Sequence, residues 1–136
     1  MGKYASLELD IYSIFDQQAW RDENISARPT NFTSSNSSSE FIRLNVIPAS
    51  PGINRKSVSG LLLIEIFVSA GVSTKRIFEI ADILDEHIVG RYIQTNGRVT
   101  QFASGSTTGL DGIDSDDPAL YRAEYNISFN HFGVLQ

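Results

Sequence analysis

The sequence predicts an α+β fold: a mostly antiparallel four-stranded sheet with two helices packed on one face, in a single domain over residues 1–136. Three observations predict it. Two stretches repeat apolar residues at helical spacing, and four alternate apolar and polar residues as strands do. They run helix, strand, strand, helix, strand, strand, an order that segregates helices from an antiparallel sheet. At 136 residues, with 41% hydrophobic and 20% charged residues, the chain is long and apolar enough to bury one core.

Residues 4–19 read as the first helix, with Leu7, Ile11, Ile14 and Phe15 on one stripe and Trp20 closing it against the core. From Arg21 to Glu40 the pattern breaks. Arg28-Pro29 and Asn31 signal turns, and residues 33–39 are Ser-rich. This reads as a flexible surface loop, or as an arm that orders on a partner. Phe41 to Ile47 is a strand, with Ile42, Leu44 and Val46 facing one way and Arg43 and Asn45 the other. Pro48, Pro51 and Gly52 end it. The 48–59 loop reads as a projecting hairpin with the basic tip Asn54-Arg55-Lys56.

Gly60 to Gly90 is the stretch the rest must fit around. In its strand, Leu62, Ile64, Ile66 and Val68 form one face. Leu61, Leu63 and Phe67 make the other face largely apolar, with Glu65 the exception, so a central position covered on both sides, by helices or by another subunit, is expected. The helix that follows carries Ile77, Ile80, Ala81, Leu84 and Ile88 on one stripe, with Ser73 or Thr74 at its start and Gly90 at its end. Within Tyr92–Ala103, residues 98–102 read as a strand behind an Asn96-Gly97 turn. Ser104–Pro118 reads as a second long loop, Gly-rich and acidic, with Asp111, Asp114, Asp116 and Asp117. Ala119–His131 alternates as the last strand: Tyr121, Ala123, Tyr125, Ile127 and Phe129 against Arg122, Glu124, Asn126, Ser128 and Asn130.

Little of this pattern points to chemistry. The absence of cysteine excludes disulfides and thiolate metal sites. Charges come too early at the N-terminus for a signal peptide, and no apolar run is long enough to span a bilayer. A net charge of −5, from 11 Lys and Arg against 16 Asp and Glu, argues against tight nucleic-acid binding, which needs a basic footprint. Oxygen-rich loops can hold calcium, but the Asp-rich 109–118 segment lacks the EF-hand order of glycine and glutamate. It reads as a solvated loop. His87 sits near a helix end, where a cation suits the helix dipole, and His131 follows the last strand. Neither belongs to a pattern with a nucleophile or a ligand set. Gly105 to Gly109 lacks the lysine of a phosphate loop and does not lead from a strand into a helix. No catalytic residue, cofactor site or metal site is expected.

In the order of its elements the chain resembles the tail terminator (tail completion, minor tail) proteins of long-tailed bacteriophages. The resemblance rests on diffuse motifs over most of the chain. They are the first helix with its Asn- and Pro-containing linker (residues 24–32), the strand Phe41-Ile-Arg-Leu-Asn-Val-Ile-Pro48 and the strand from Gly60 to Val68. Gly71 leading to Ile80-Ala-Asp-Ile-Leu-Asp85 and the closing Tyr121–Phe129 strand complete them. The Ser-rich segment lies outside the pattern. The resemblance implies a non-enzymatic virion protein, placed at the head-proximal end of the tail and in the host cytoplasm during assembly. Such proteins form a homo-hexameric ring on the tail tube, end tube polymerisation and present a surface to the head-completion or connector protein. Viral DNA passes through the lumen without specific binding. A ring of identical chains needs a heterologous interface that closes. The resemblance places Arg43, Glu65 and Arg122 on the uncovered sheet face, at subunit contacts or the lumen. It places Arg55, Lys56, Asp111, Asp114, Asp116 and Asp117 on loops that reach the tube or the connector. Two other classes fit the same residues: a monomeric adaptor or inhibitor using its sheet edge, and a small metal- or ligand-binding domain.

Overall fold

In the computed structural model, residues 2–29, 40–71, 74–115 and 118–134 are described. The elements are α1 (Lys3–Phe15), α2 (Gln18–Arg21), β1 (Ser26–Pro29), β2 (Phe41–Pro51), β3 (Val58–Ser69), α3 (Lys75–Ile88), β4 (Tyr92–Thr95), β5 (Arg98–Phe102), β6 (Thr107–Ile113) and β7 (Leu120–Phe132). The sheet is therefore seven-stranded and mixed, ordered β1-β2-β3-β7-β5-β4, with β6 also paired to β7. This overturns the four-stranded, mostly antiparallel sheet expected from the sequence. The pair β1–β2 is parallel, and β1, β4 and β6 are additional strands.

The expected strands do form the centre. β2, β3 and β7 pair antiparallel over long registers, from Phe41 opposite Phe67 to Val58 opposite His131. Hydrophobic alternation fixes these registers, because a slip of one residue would turn every buried side chain outward. The extra strands lie at the edges. β1 ends at Pro29, a residue confined to edges because it cannot donate to a ladder. β5 and β6 share one edge of β7. β5 pairs with residues 129–132 and β6 with residues 121–126, as one interrupted pass along the same strand. The acidic segment expected as a loop at 104–118 thus contains a strand, and the hairpin expected at 48–59 is strand except for residues 52–57. Gly109, Asp111 and Gly112 are poor strand formers, and pairing with β7 overrides their preference. The first helix, expected over residues 4–19, breaks at Asp16 and resumes as α2.

The apolar stripes predicted for the helices are buried as expected. Leu7, Ile11 and Ile14 of α1 and Ile77, Ile80, Leu84 and Ile88 of α3 join one cluster with Ile42, Leu44, Leu62, Ile64, Ala123, Tyr125 and Ile127. Both helices therefore lie on one face of β2, β3 and β7. The other face carries the alternate residues, Arg43 and Asn45, Leu61, Leu63 and Glu65, and Arg122, Glu124 and Asn126. No described helix covers it. Asn96 (φ 52°) and Gly97 (φ 85°) form the predicted tight turn between β4 and β5, where both central residues need positive φ. No helix among the described residues is long and apolar enough to cross a membrane.

Candidate functional site: the open sheet face and the end of the last strand

The register of β1, β2, β3 and β7 sets a row of charges across the open face. Arg28 stands opposite Arg43, Arg43 opposite Glu65, and Glu65 opposite Glu124. Glu65 is nearly buried and anchors the row. Its carboxylate accepts two hydrogen bonds from Arg43, at 2.8 Å from Nε and 2.9 Å from Nη2, the forked geometry that suits a guanidinium. Arg122 adds a third at 3.1 Å. Arg122 also pairs through Nε with Asp111 at 3.2 Å. Asp111 reaches it because β6 bulges between Leu110 and Gly112, and Gly112 takes φ 107°. A bulge of this kind re-aims one side chain, and here it turns a carboxylate onto the open face. Burial and the neighbouring Asp111 carboxylate push the Glu124 carboxyl above its ordinary range. Beside the row, Phe41 and Phe67 stack with ring centres 4.6 Å apart and form a small second core with Leu120. The Arg28 and Arg43 guanidiniums lie 4.0 Å and 5.0 Å from those two ring centres.

The charges are thus unevenly shared. The β1–β2 side carries the cations Arg28 and Arg43, whereas the β7–β6 side carries two carboxylates, Glu124 and Asp111, and one cation, Arg122, which joins Asp111 to Glu65 of β3. The strand β6 forms no further ladder among the described residues on its outer side, where Leu110 and Ile113 are exposed.

Four of the predicted interface residues, Arg43, Glu65, Arg122 and Asp111, come together in this network. The others separate from it. Asp114 is buried just past β6, where its backbone N–H bonds to Leu120. Asp116 and Asp117 lie outside the described residues, as does the Ser-rich 33–39 segment. Arg55 and Lys56 sit near the other end of β7, where Val58 faces His131, whereas Ile113 faces Tyr121. At the rise of a strand these ends are about 33 Å apart, so Arg55 and Lys56 lie at the opposite end of the sheet from Ile113 and Asp114. Among the described residues, no three His, Asp or Glu side chains gather as a metal site would need.

The sequence reading missed a cluster at the basic end. His131 lies inside β7 and is 1% exposed. Its Nδ1 is 2.7 Å from Thr100 Oγ1 of β5, and that hydroxyl donates to Asp10 Oδ2 of α1 at 3.2 Å. Where the hydroxyl gives its proton to Asp10 it accepts from His131, and in that tautomer Nδ1 carries the imidazole proton and Nε2 keeps its lone pair. Asp10 is also gripped by Arg98 through Nε (3.0 Å) and Nη2 (3.0 Å). Burial holds the His131 pKa below its ordinary value, opposed in part by Asp10. Its Nε2 has no hydrogen-bond partner among the described residues. Asp10, Thr100 and His131 are about 30 and 90 residues apart in the chain, so no local spacing marks them.

His131 lines a cleft of about 620 Å³ with Lys3, Arg55, Lys56, Asn96 and Arg98. The loop bearing Arg55 and Lys56 is pinned there. Asn54 Oδ1 accepts from the Lys56 N–H (2.8 Å) and from Ser57 Oγ (3.1 Å), and Ser57 Oγ accepts from the Gly133 N–H (3.1 Å). A Cβ at Gly133 would meet the Lys56 carbonyl oxygen at 2.0 Å, so only glycine permits this approach.

Comparison with known proteins reveals likeness of fold. No family model matches the chain, and no curated protein matches it. A solved structure that carries no functional name is similar at a TM-score of 0.64 and 14% identity, over 98% of this chain and 95% of that one. At that identity the likeness is one of fold alone.

Proposed function

We propose that this chain is a structural assembly protein, a tail terminator that works as a closed hexameric ring on a phage tail tube. The observation that carries the proposal is the uneven charge of the open face, two cations at the β1–β2 side and a carboxylate excess, Glu124 and Asp111 against Arg122, at the β7–β6 side. A heterologous interface, in which one side of a subunit meets the other side of the next, needs such complementary flanks to set its register. The outer edge of β6, with exposed Leu110 and Ile113, adds apolar contact and backbone groups able to pair with a second chain. Arg55 and Lys56 lie at the opposite end of the sheet from the end of β6, which gives the ring two chemically different rims, one of them basic. One rim meets the tail tube protein and the other the head-completion protein. The chain's net charge of −5 suits a lumen through which DNA slides without being held.

Mass in solution, with and without tail tubes, tests the ring. Arg28→Glu and Glu124→Lys should each weaken assembly, and the two together in one chain should restore it, because complementarity returns with its sign exchanged. Loss of assembly in the double variant as deep as in either single one overturns the edge assignment. Particles lacking this protein should show overlong or headless tails by negative-stain microscopy, and normal tails would end the terminator reading.

A further inference from the structure

The cleft at the basic end is at odds with the charge of the whole. Four of the chain's 11 lysines and arginines line it, Lys3, Arg55, Lys56 and Arg98, and no described Asp or Glu does. Arg98 has its counterion in Asp10, whereas Lys3, Arg55 and Lys56 make no ion pair among the described residues. Cations concentrated without counterions in a concave site raise the local potential and attract anions. The wall also holds His131, whose Nδ1 is tied through Thr100 to Asp10, leaving Nε2 as its one uncommitted polar atom. A buried acceptor without a donor is costly unless something supplies the donor. The first turn of α1 contributes Lys3 and Ser6 to the cleft and has no acidic residue and no side-chain cap, so its free N–H groups add positive potential.

We propose that this cleft binds a small phosphomonoester. The ligand must be anionic to answer the lysines and arginines, and it must offer a proton to Nε2. Phosphate meets both demands at the smallest cost: its second ionisation lies near pH 6, so at neutral pH only about one unit separates the prevailing dianion from the monoanion, which keeps an O–H beside two oxygens that share its charge. A carboxylate titrates near pH 4, about three units away. Arg55 and Lys56 take the charged oxygens, the Asn96 side-chain amide is a further donor, and Leu9 and Val134 give apolar surface to the organic part. The volume of about 620 Å³ suits a small molecule, and the chain's acidic balance disfavours a long polyanion such as nucleic acid.

The test is an NMR titration of the isolated protein, following the His131 imidazole nitrogens, with inorganic phosphate, glycerol phosphate, sulfate and a short single-stranded oligonucleotide. It does not depend on ring formation, so its outcome is independent of the assembly proposal. Both phosphates should move the Nε2 signal at low millimolar concentration or below, and sulfate, which has no proton to offer at neutral pH, should act more weakly. Arg55→Gln with Lys56→Gln should weaken phosphate binding by about tenfold or more, the loss expected for removed charge-assisted contacts. Arg21→Gln, an exposed cation elsewhere, should leave it unchanged. No movement of His131 with phosphate overturns the proposal, as do equal losses in the two sets of variants or tighter binding of the oligonucleotide than of glycerol phosphate.

Discussion

Glu65→Gln is the sharpest probe of the open face. The substitution keeps the shape of the side chain and removes its charge. Glu65 accepts three hydrogen bonds from two guanidiniums, and its side chain is only 11% exposed. A glutamine offers one oxygen and turns an NH₂ towards one of the arginines, so at least one guanidinium contact becomes repulsive. Breaking a buried ion pair from one side costs about 3–5 kcal/mol. Arg43 and Arg122 are partly exposed, at 21% and 34%, and Arg122 keeps Asp111, so water recovers part of that loss. The expected destabilisation is about 2–3 kcal/mol, or roughly 6–10 °C in Tm for a domain of this size. Urea unfolding and calorimetry at fixed protein concentration measure both. Arg43→Met combined with Glu65→Leu should recover much of the stability, since an apolar pair can replace a buried ionic one. A loss below about 0.5 kcal/mol for Glu65→Gln, the range of exposed pairs, would refute the view of Glu65 as a buried anchor.

Four further outcomes are expected. The Tyr125 hydroxyl donates to Asp85 at 2.6 Å, and burial together with that bond holds its pKa far above the ordinary 10.0. Its contribution to stability is full below pH 10 and declines as pH rises beyond it, because only the unfolded chain then releases the proton; ultraviolet titration should show a tyrosine that ionises only on unfolding. Tyr125→Phe should cost about 1–2 kcal/mol by denaturant unfolding, because Asp85 loses a buried donor. For His131 the lowered pKa works in the other direction: its contribution is full above 6.5 and lost as pH falls through the folded value, since the unfolded chain takes up the proton first. The slope of stability against pH in that window should flatten in His131→Gln, and an unchanged slope would show that the ring is not held neutral. Gly60 faces the β2 bulge, where a Cβ would stand 2.1 Å from the Ile47 carbonyl oxygen. Gly60→Ala should therefore cost about 1–3 kcal/mol or more, read from the shift in denaturant midpoint.

The centre of the fold was legible in the sequence. Period-2 alternation in 41–47, 60–69 and 119–131 and the two helical stripes mark side chains whose burial is decided locally. The same alternation put Arg43, Glu65 and Arg122 on one face, although nothing local said that one carboxylate would join both guanidiniums. Two of the strands that escaped, β6 and β1, have residues that disfavour their observed state. β6, with Gly109, Asp111 and Gly112, is a strand because β7 offers it an unpaired edge, and β1 because β2 does. The cleft escaped for a related reason. Asp10, Thr100 and His131 belong to three elements, and each alone is an ordinary polar residue.

The amino-acid pattern by itself determined which faces are apolar, because partition from water depends on side-chain identity and period. Only the tertiary structure decided which edges pair, which charges meet and which cations share a cleft. Those outcomes depend on backbone groups and side chains brought together from distant parts of the chain, and no local spacing encodes that meeting.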